Sequence, residues 1–179
     1  MKEIELKILN VNEEEIEKKL VLLGAKKKSD VIIKEKIFDF EDNRISKNNE
    51  LFRLRKNGDK IEITYKYSKE NDKEFLDHEE IETEIKDFEI MIEIIERLGL
   101  KIIKDREKRR ISFILKDVHF EIDKYPEIPA YLEIEAQNKG DIKKLVEELG
   151  YSMKDTTSKT ATQVLKQYEV DNSNFLKFK

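Results

Sequence analysis

The chain alternates. In stretch after stretch an apolar residue is followed by a charged one, and a period of two fits a strand with one apolar and one charged face. In residues 2–9, Ile4, Leu6 and Ile8 oppose Glu3, Glu5 and Lys7. In 51–56, Phe52 and Leu54 oppose Arg53 and Arg55. In 60–67, Ile61, Ile63 and Tyr65 oppose Lys60, Glu62, Thr64 and Lys66. Around 79–85, Ile81 and Ile85 oppose Glu80, Glu82 and Glu84, and further on Lys104 and Arg106 share a face. In 118–124, Val118, Phe120 and Ile122 oppose His119, Glu121 and Asp123. In 131–136, Leu132 and Ile134 oppose Glu133 and Glu135.

Between these strands lie amphipathic helices that end in Leu-Gly. The first starts at Asn12, a good N-cap with Glu15 three residues on, and carries Ile16, Leu20 and Leu23 on one face. The second runs from about Asp87 with Met91, Ile95 and Leu98, and the third from about Asp141 with Ile142, Leu145 and Leu149. Gly24, Gly99 and Gly150 supply the left-handed residue that closes each one. An Asp follows each Gly at similar spacing, which reads either as a recurring helix–strand unit or as ordinary helix stops. A last short helix spans about 160–168.

About eight strands with one charged face and helices in need of a surface to cover leave two arrangements. Either the charged faces look outward around a conventional core, or helices cover the outside and the charged faces line a wet barrel. Three details favour the inward arrangement. Acidic strips (Glu3 and Glu5; Glu80, Glu82 and Glu84; Asp123; Glu133 and Glu135) are sorted from basic ones (Arg53 and Arg55; Lys66; Lys104 and Arg106), whereas a solvated face mixes signs. The arginine fork suits phosphate oxygens. Carboxylates at i, i+2 are hard oxygen ligands for Mg²⁺ or Mn²⁺. Together they describe a site for a metal–polyphosphate.

Composition agrees with this. The 179 residues make one domain, expected over 1–170, with a tail over 171–179 that is loose or packs on a neighbour. Charged residues are 42% of the chain, yet 36 basic and 40 acidic side chains leave a net charge of −4. With 38% hydrophobic residues the chain is not disordered, and a pI of 5.5 argues against nucleic-acid binding. Cysteine is absent, which excludes disulfides and thiolate metal sites. No apolar run approaches a membrane span, and no signal-peptide-like segment precedes the first charges, so a cytoplasmic protein is expected. Abundant Lys, Glu and Ile hint at a thermophile or, equally, an AT-rich genome.

Glu3-Ile4-Glu5-Leu6-Lys7 resembles the E-x-E-x-K signature of the CYTH superfamily, the triphosphate tunnel metalloenzymes. That superfamily includes class IV adenylyl cyclases, thiamine triphosphatases and inorganic triphosphatases. The resemblance continues in order through Leu51-Phe52-Arg53-Leu54-Arg55, Thr64-Tyr65-Lys66, Glu80-Ile81-Glu82, Lys104-Asp105-Arg106, Asp123 and Tyr131-Leu132-Glu133-Ile134-Glu135.

What the resemblance implies is an α+β fold: an eight-stranded antiparallel β-barrel, the triphosphate tunnel, with helices packed outside. Glu3, Glu5, Glu133 and Glu135 are implied as metal ligands for Mg²⁺ or Mn²⁺, with Asp123 supporting them. Lys7, Arg53, Arg55, Lys66, Lys104 and Arg106 are implied as the phosphate clamp, joined by Lys159 in Ser158-Lys159-Thr160. Glu5 and Lys7 are implied as the catalytic pair, and Glu80 and Glu82 as an acidic strip behind the ligands.

The chain departs from the family pattern at Ile37-Phe38-Asp39, where Tyr-Phe-Asp is common, and at Arg109-Arg110, where an aromatic is common. Both are expected at the non-phosphate end of the substrate. His119 falls on a charged face but is expected to be a plain polar residue, and Lys26-Lys27-Lys28 a solvated run. The expected activity is class IV cyclase-like, turning ATP into cyclic AMP and pyrophosphate. The alternatives are hydrolysis of tripolyphosphate or thiamine triphosphate, and a non-catalytic triphosphate-binding module. The expected partner is a small-molecule triphosphate, with no nucleic acid and no membrane, and a homodimer as the candidate assembly.

Overall fold

The structure is a computed structural model that describes residues 2–67, 75–170 and 173–179, without the side chains of 2, 3 and 76–78. Eight long strands carry it: β1 (Lys2–Ile8), β2 (Lys26–Asp39), β3 (Glu50–Asn57), β4 (Lys60–Tyr67), β5 (Leu76–Glu84), β6 (Lys101–Leu115), β7 (Val118–Lys124) and β8 (Tyr131–Ala136). Two short strands, β9 (Thr156–Thr157) and β10 (Phe175–Leu176), complete the sheet. The helices are α1 (Glu13–Leu22), α2 (Arg44–Lys47), α3 (Phe88–Arg97), α4 (Lys139–Glu148) and α5 (Ala161–Gln167).

The long strands are hydrogen-bonded in the order β6-β2-β3-β4-β5-β1-β8-β7, each pair antiparallel. β6 also pairs with β7, which brings the two ends of that order together. The short strands fill gaps in the wall. β9 meets β1 at Lys7 and Ile8, beyond the reach of β5, and β10 runs parallel to β6 at Asp105 and Arg106, where β7 is absent.

Period two becomes inside and outside. Apolar outward residues of β1, β6, β7 and β8, among them Leu6, Phe113, Phe120 and Ile134, are buried under α1 and α4. Those of β2, β3 and β4 pack with α3 around Phe38, Leu54 and Ile95. Each fully buried aliphatic side chain stabilises the fold by ~1.5–3 kcal/mol. A third cluster, Tyr125, Tyr131, Val164, Leu165 and Leu176, brings α5 and β10 together.

The helix stops behave as the sequence reads. Asn12 accepts a hydrogen bond from Glu15 N at 3.1 Å, and Gly24, Gly99 and Gly150 have φ of 84 to 91°. Two details differ. α4 starts at Lys139 rather than Asp141, because Asn138 is its N-cap and accepts from Asp141 N at 2.9 Å. On α3 the buried pair is Ile92 and Ile95, while Leu98 is 69% exposed. The apolar arc of that helix is broad, with Phe88, Met91, Ile92 and Ile95 turned to the core and Leu98 at the arc's outer edge beyond the last turn. The C-terminal residues 173–179 do not hang free but lie along β6 of the same chain.

Candidate functional site

Register places the charged residues together. Directly paired residues in neighbouring strands share a face. Glu5 stands opposite Glu135 and Lys7 opposite Glu133. From there the inward face passes to Glu121 and Asp123 on β7, and to Arg110, Lys108, Arg106 and Lys104 on β6. It continues through Glu35 on β2, Arg53 and Arg55 on β3, Glu62, Thr64 and Lys66 on β4, and Glu80 and Glu82 on β5.

At one corner Glu5, Glu133 and Glu135 bring a carboxylate oxygen each within 4.8 Å of one another. Lys7, 1% exposed, spans two of them, with Nζ 2.6 Å from Glu5 and 2.9 Å from Glu133. Burial opposes the charge on Lys7, but Glu133 and Glu5 outweigh it and hold the ammonium above its ordinary value. Glu133 is likewise buried, yet Lys7 and Arg110 hold its carboxyl well below the usual range. Glu135 goes the other way. Burial, then the neighbouring charges of Glu133 and Glu5, push its carboxyl well up. All-oxygen donors of this kind fit Mg²⁺ or Mn²⁺. The Glu3 side chain lies outside the described residues.

Across the interior is a basic wall. Arg53 is buried, and among the described residues its Nε has no hydrogen-bond partner. Its Nη2 is 3.5 Å from Thr64 Oγ1 and 4.0 Å from Glu82. Burial and the adjacent Arg55 push the Arg53 guanidinium down from its ordinary value. A buried donor left unpaired costs ~1–3 kcal/mol, so such groups mark where a partner is missing. Arg55 is paired with Glu62 at 2.9 Å, and Lys66 with Glu80. Thr64 donates to Glu82 at 2.6 Å. Lys104 and Arg106 meet at Thr162 of α5, at 3.0 and 3.1 Å. Burial and then Arg106 lower the Lys104 ammonium to about 8.

Between wall and corner, β6 and β7 form an ion-pair network that the sequence reading did not single out. Asp123 is fully buried, with Lys108 at 2.6 Å, both ends of the Arg110 fork at 2.6 Å and the Tyr131 hydroxyl at 3.3 Å. It is not one of the three mutually close glutamates, but Arg110 joins it to one of them, with Nη2 also 3.2 Å from Glu133. Lys108 and Arg110 continue the i, i+2 series of Lys104 and Arg106, a signal that was there to follow. Glu35, a further buried carboxylate, accepts from the Tyr125 hydroxyl at 3.0 Å. Burial opposes its charge, but Lys108, Arg53 and Arg106 hold it below the usual range.

Some expected residues lie elsewhere. Lys159 is exposed and donates to Gln167 at 2.6 Å, beside an outer hollow of about 400 Å³ that Tyr151 and Lys154 also line. Of Ile37-Phe38-Asp39, only Ile37 faces inward. Phe38 is in the outer core, and Asp39 binds the backbone of Ile45 and Ser46 at 3.0 and 2.9 Å, which anchors α2. Arg109 faces outward to Asp30 and Glu13, at 2.8 Å each. His119 is exposed and stands on β7 directly opposite Glu135.

The family model for the CYTH domain matches residues 1–161. The chain belongs to the CYTH domain family. Members of that family are metal-dependent and act on triphosphates. Among solved structures it is similar to the PH1012 protein of Pyrococcus horikoshii OT3, at 31% identity and a TM-score of 0.75, over 88% of this chain and 96% of that one. A candidate adenylate cyclase from Vibrio parahaemolyticus shares the fold at a TM-score of 0.81 and 15% identity, over 92% and 97%. So does a Hippeastrum protein, a candidate adenylyl cyclase with a dominant triphosphatase activity, at 0.68 and 14% over 96% and 98%. No curated protein matches. Within this CYTH chain, among the described residues, no helix is long and apolar enough to cross a membrane.

Proposed function

We propose that this protein is a divalent-metal-dependent enzyme that hydrolyses a triphosphate held between the acidic corner and the basic wall. The observation that supports this most is the pairing of opposites inside one ring of strands. Three mutually close glutamates crowd around the single ammonium of Lys7 on one side, and among the described residues Arg53 has a buried donor without a hydrogen-bond partner on the other. A metal–triphosphate answers both needs.

Glu5, Glu133 and Glu135 would hold the metal. A bound Mg²⁺ or Mn²⁺ would neutralise phosphate oxygens and polarise the phosphorus under attack. Arg53, Arg55, Lys66, Lys104 and Arg106 would bind the phosphate oxygens, with charge already in place when charge develops on the transferring group. Lys7 orients Glu5 and Glu133, and it stays protonated, which suits a counter-ion better than a proton shuttle. Asp123 keeps Lys108 and Arg110 in register. Glu80 and Glu82 occupy Lys66 and Thr64 until substrate arrives. Lys159, outside the interior, is left out of the clamp.

A second reading, cyclisation of a nucleoside triphosphate, has one observation in its favour. The inner face of β2 carries Ile33 and Ile37, both buried, opposite Lys108 and Lys104. An organic end group would meet these apolar side chains once the neighbours that cover them move aside, since Ile33 is 0% and Ile37 5% exposed. Incubation with tripolyphosphate or ATP, each with Mg²⁺ or Mn²⁺, separates the readings. Orthophosphate release supports hydrolysis, and cyclic AMP with pyrophosphate supports cyclisation. Turnover of neither, with a raised melting temperature, would leave a binding module. No turnover and no thermal shift would overturn the proposal.

A further inference from the structure

Arg106 is held differently from the other interior arginines. Among the described residues, its three side-chain hydrogen bonds all go to the C-terminal part of the chain. Nε donates to Ser173 O at 2.7 Å, Nη1 to Thr162 Oγ1 at 3.1 Å and Nη2 to Asn174 Oδ1 at 3.4 Å. Lys104 donates to the same Thr162 hydroxyl at 3.0 Å. These acceptors are a carbonyl, a hydroxyl and an amide, and none carries charge. Arg110 and Arg55, by contrast, are bound by the carboxylates of Asp123 and Glu62. Glu35 faces Arg106 across the β2–β6 pairing and feels its charge, but the Glu35 carboxylate accepts its hydrogen bond from the Tyr125 hydroxyl.

The acceptors are themselves fixed to β6. Asp105 N donates to Asn174 O at 2.8 Å, Lys177 reaches Asp105 at 3.0 Å, and Phe178 N donates to Glu107 at 3.2 Å. Leu176 is buried with Val164 and Leu165 of α5, which ties the segment to the helix that bears Thr162.

We propose that Thr162 with Ser173 and Asn174 forms a strap that positions Arg106 and Lys104 for a condensed phosphate without neutralising them. A free arginine loses rotamer entropy when it is fixed in one pose. The strap meets that cost during folding, and its neutral acceptors leave both charges available to the ligand. Thr162, Ser173 and Asn174 are positioning residues that act through the two cations. This rests on the triphosphate reading above.

The test is calorimetric titration of inorganic tripolyphosphate, with Mg²⁺ present, into the full-length protein. Thr162→Val keeps the shape of the side chain and removes the acceptor. Combined with Asn174→Ala it is expected to weaken binding about tenfold, with Thr162→Ser restoring near-normal affinity. In an Arg106→Lys background, where a single ammonium cannot span three acceptors, the same pair of changes is expected to cost less than about twofold. Unchanged affinity in the double variant overturns the strap while the triphosphate reading stands. A loss of the same size in the Arg106→Lys background does so too, because the residues would then act on general structure. If the unaltered protein binds no tripolyphosphate, both readings fall together.

Discussion

Lys7 on β1 stands directly opposite Glu133 on β8, with its ammonium 2.9 Å from the Glu133 carboxylate. The same ammonium is 2.6 Å from Glu5, so one lysine serves as internal counter-ion to a corner of three glutamates. Replacing Lys7 by Met should leave those carboxylates unbalanced. Removing one partner from a buried pair costs about 3–5 kcal/mol. The metal-free variant should therefore melt well below the wild type, and added Mg²⁺ or Mn²⁺ should recover much of the difference by taking over the neutralisation. Thermal melts with and without EDTA measure this. Equal responses to metal in variant and wild type would contradict a metal site at this corner.

Glu135 makes the opposite case. Its carboxyl is pushed up by burial and by Glu133 and Glu5, so its charge is a burden to the metal-free fold. Glu135→Gln should leave metal-free stability equal or higher while it removes a donor oxygen. Turnover and metal affinity should both fall by at least about tenfold. Retained metal-dependent turnover in this variant would remove Glu135 from the ligand set.

Asp123 is expected to matter for the fold first. It balances Lys108 and Arg110 in a fully buried position, and Asn keeps its shape but drops its charge. Two buried cations then lose their anion, at a cost of about 3–5 kcal/mol. For a chain of this size that is on the order of 10 °C in melting temperature. A scanning calorimeter would show it, and a shift below about 2 °C would place Asp123 outside the structural network.

How much of this was legible beforehand depended on local pattern. Arg53, Glu82 and Glu133 alternate with apolar neighbours, so their shared face was visible, and the ordered motifs pointed to the barrel. Sorting of charge by strand held only in part. β4 carries Glu62 beside Lys66, and β2 places Glu35 against the basic wall, because unlike charges on adjacent strands pair across the register. β2 itself was hard to read. Ile33 and Ile37 face inward and Ile32 is 45% exposed outside, so hydropathy does not alternate along it. Lys159 fell in a short connection where no periodicity fixes direction. The hold of Ser173 and Asn174 on Arg106 spans more than sixty positions of sequence, and no local rule encodes it.

Lys104 gives the pH test. Burial, and after it the charge of Arg106, lower its ammonium from 10.5 to about 8. Between those two values the unfolded chain binds more protons at this residue than the folded one. Its contribution therefore makes stability rise with pH through that window, and the penalty is full below about 8. A bound polyanion favours the charged form and should raise the value again. At pH 8.5 to 9, binding of tripolyphosphate should thus draw a proton onto Lys104. Titrations in buffers of different ionisation enthalpy count that proton. Because the phosphate chain has its own protonation equilibria, the informative quantity is the difference between wild type and Lys104→Met. The wild type should take up more protons on binding, by as much as a sizeable fraction of one. An identical count in the two proteins would show that Lys104 does not sense the bound phosphate.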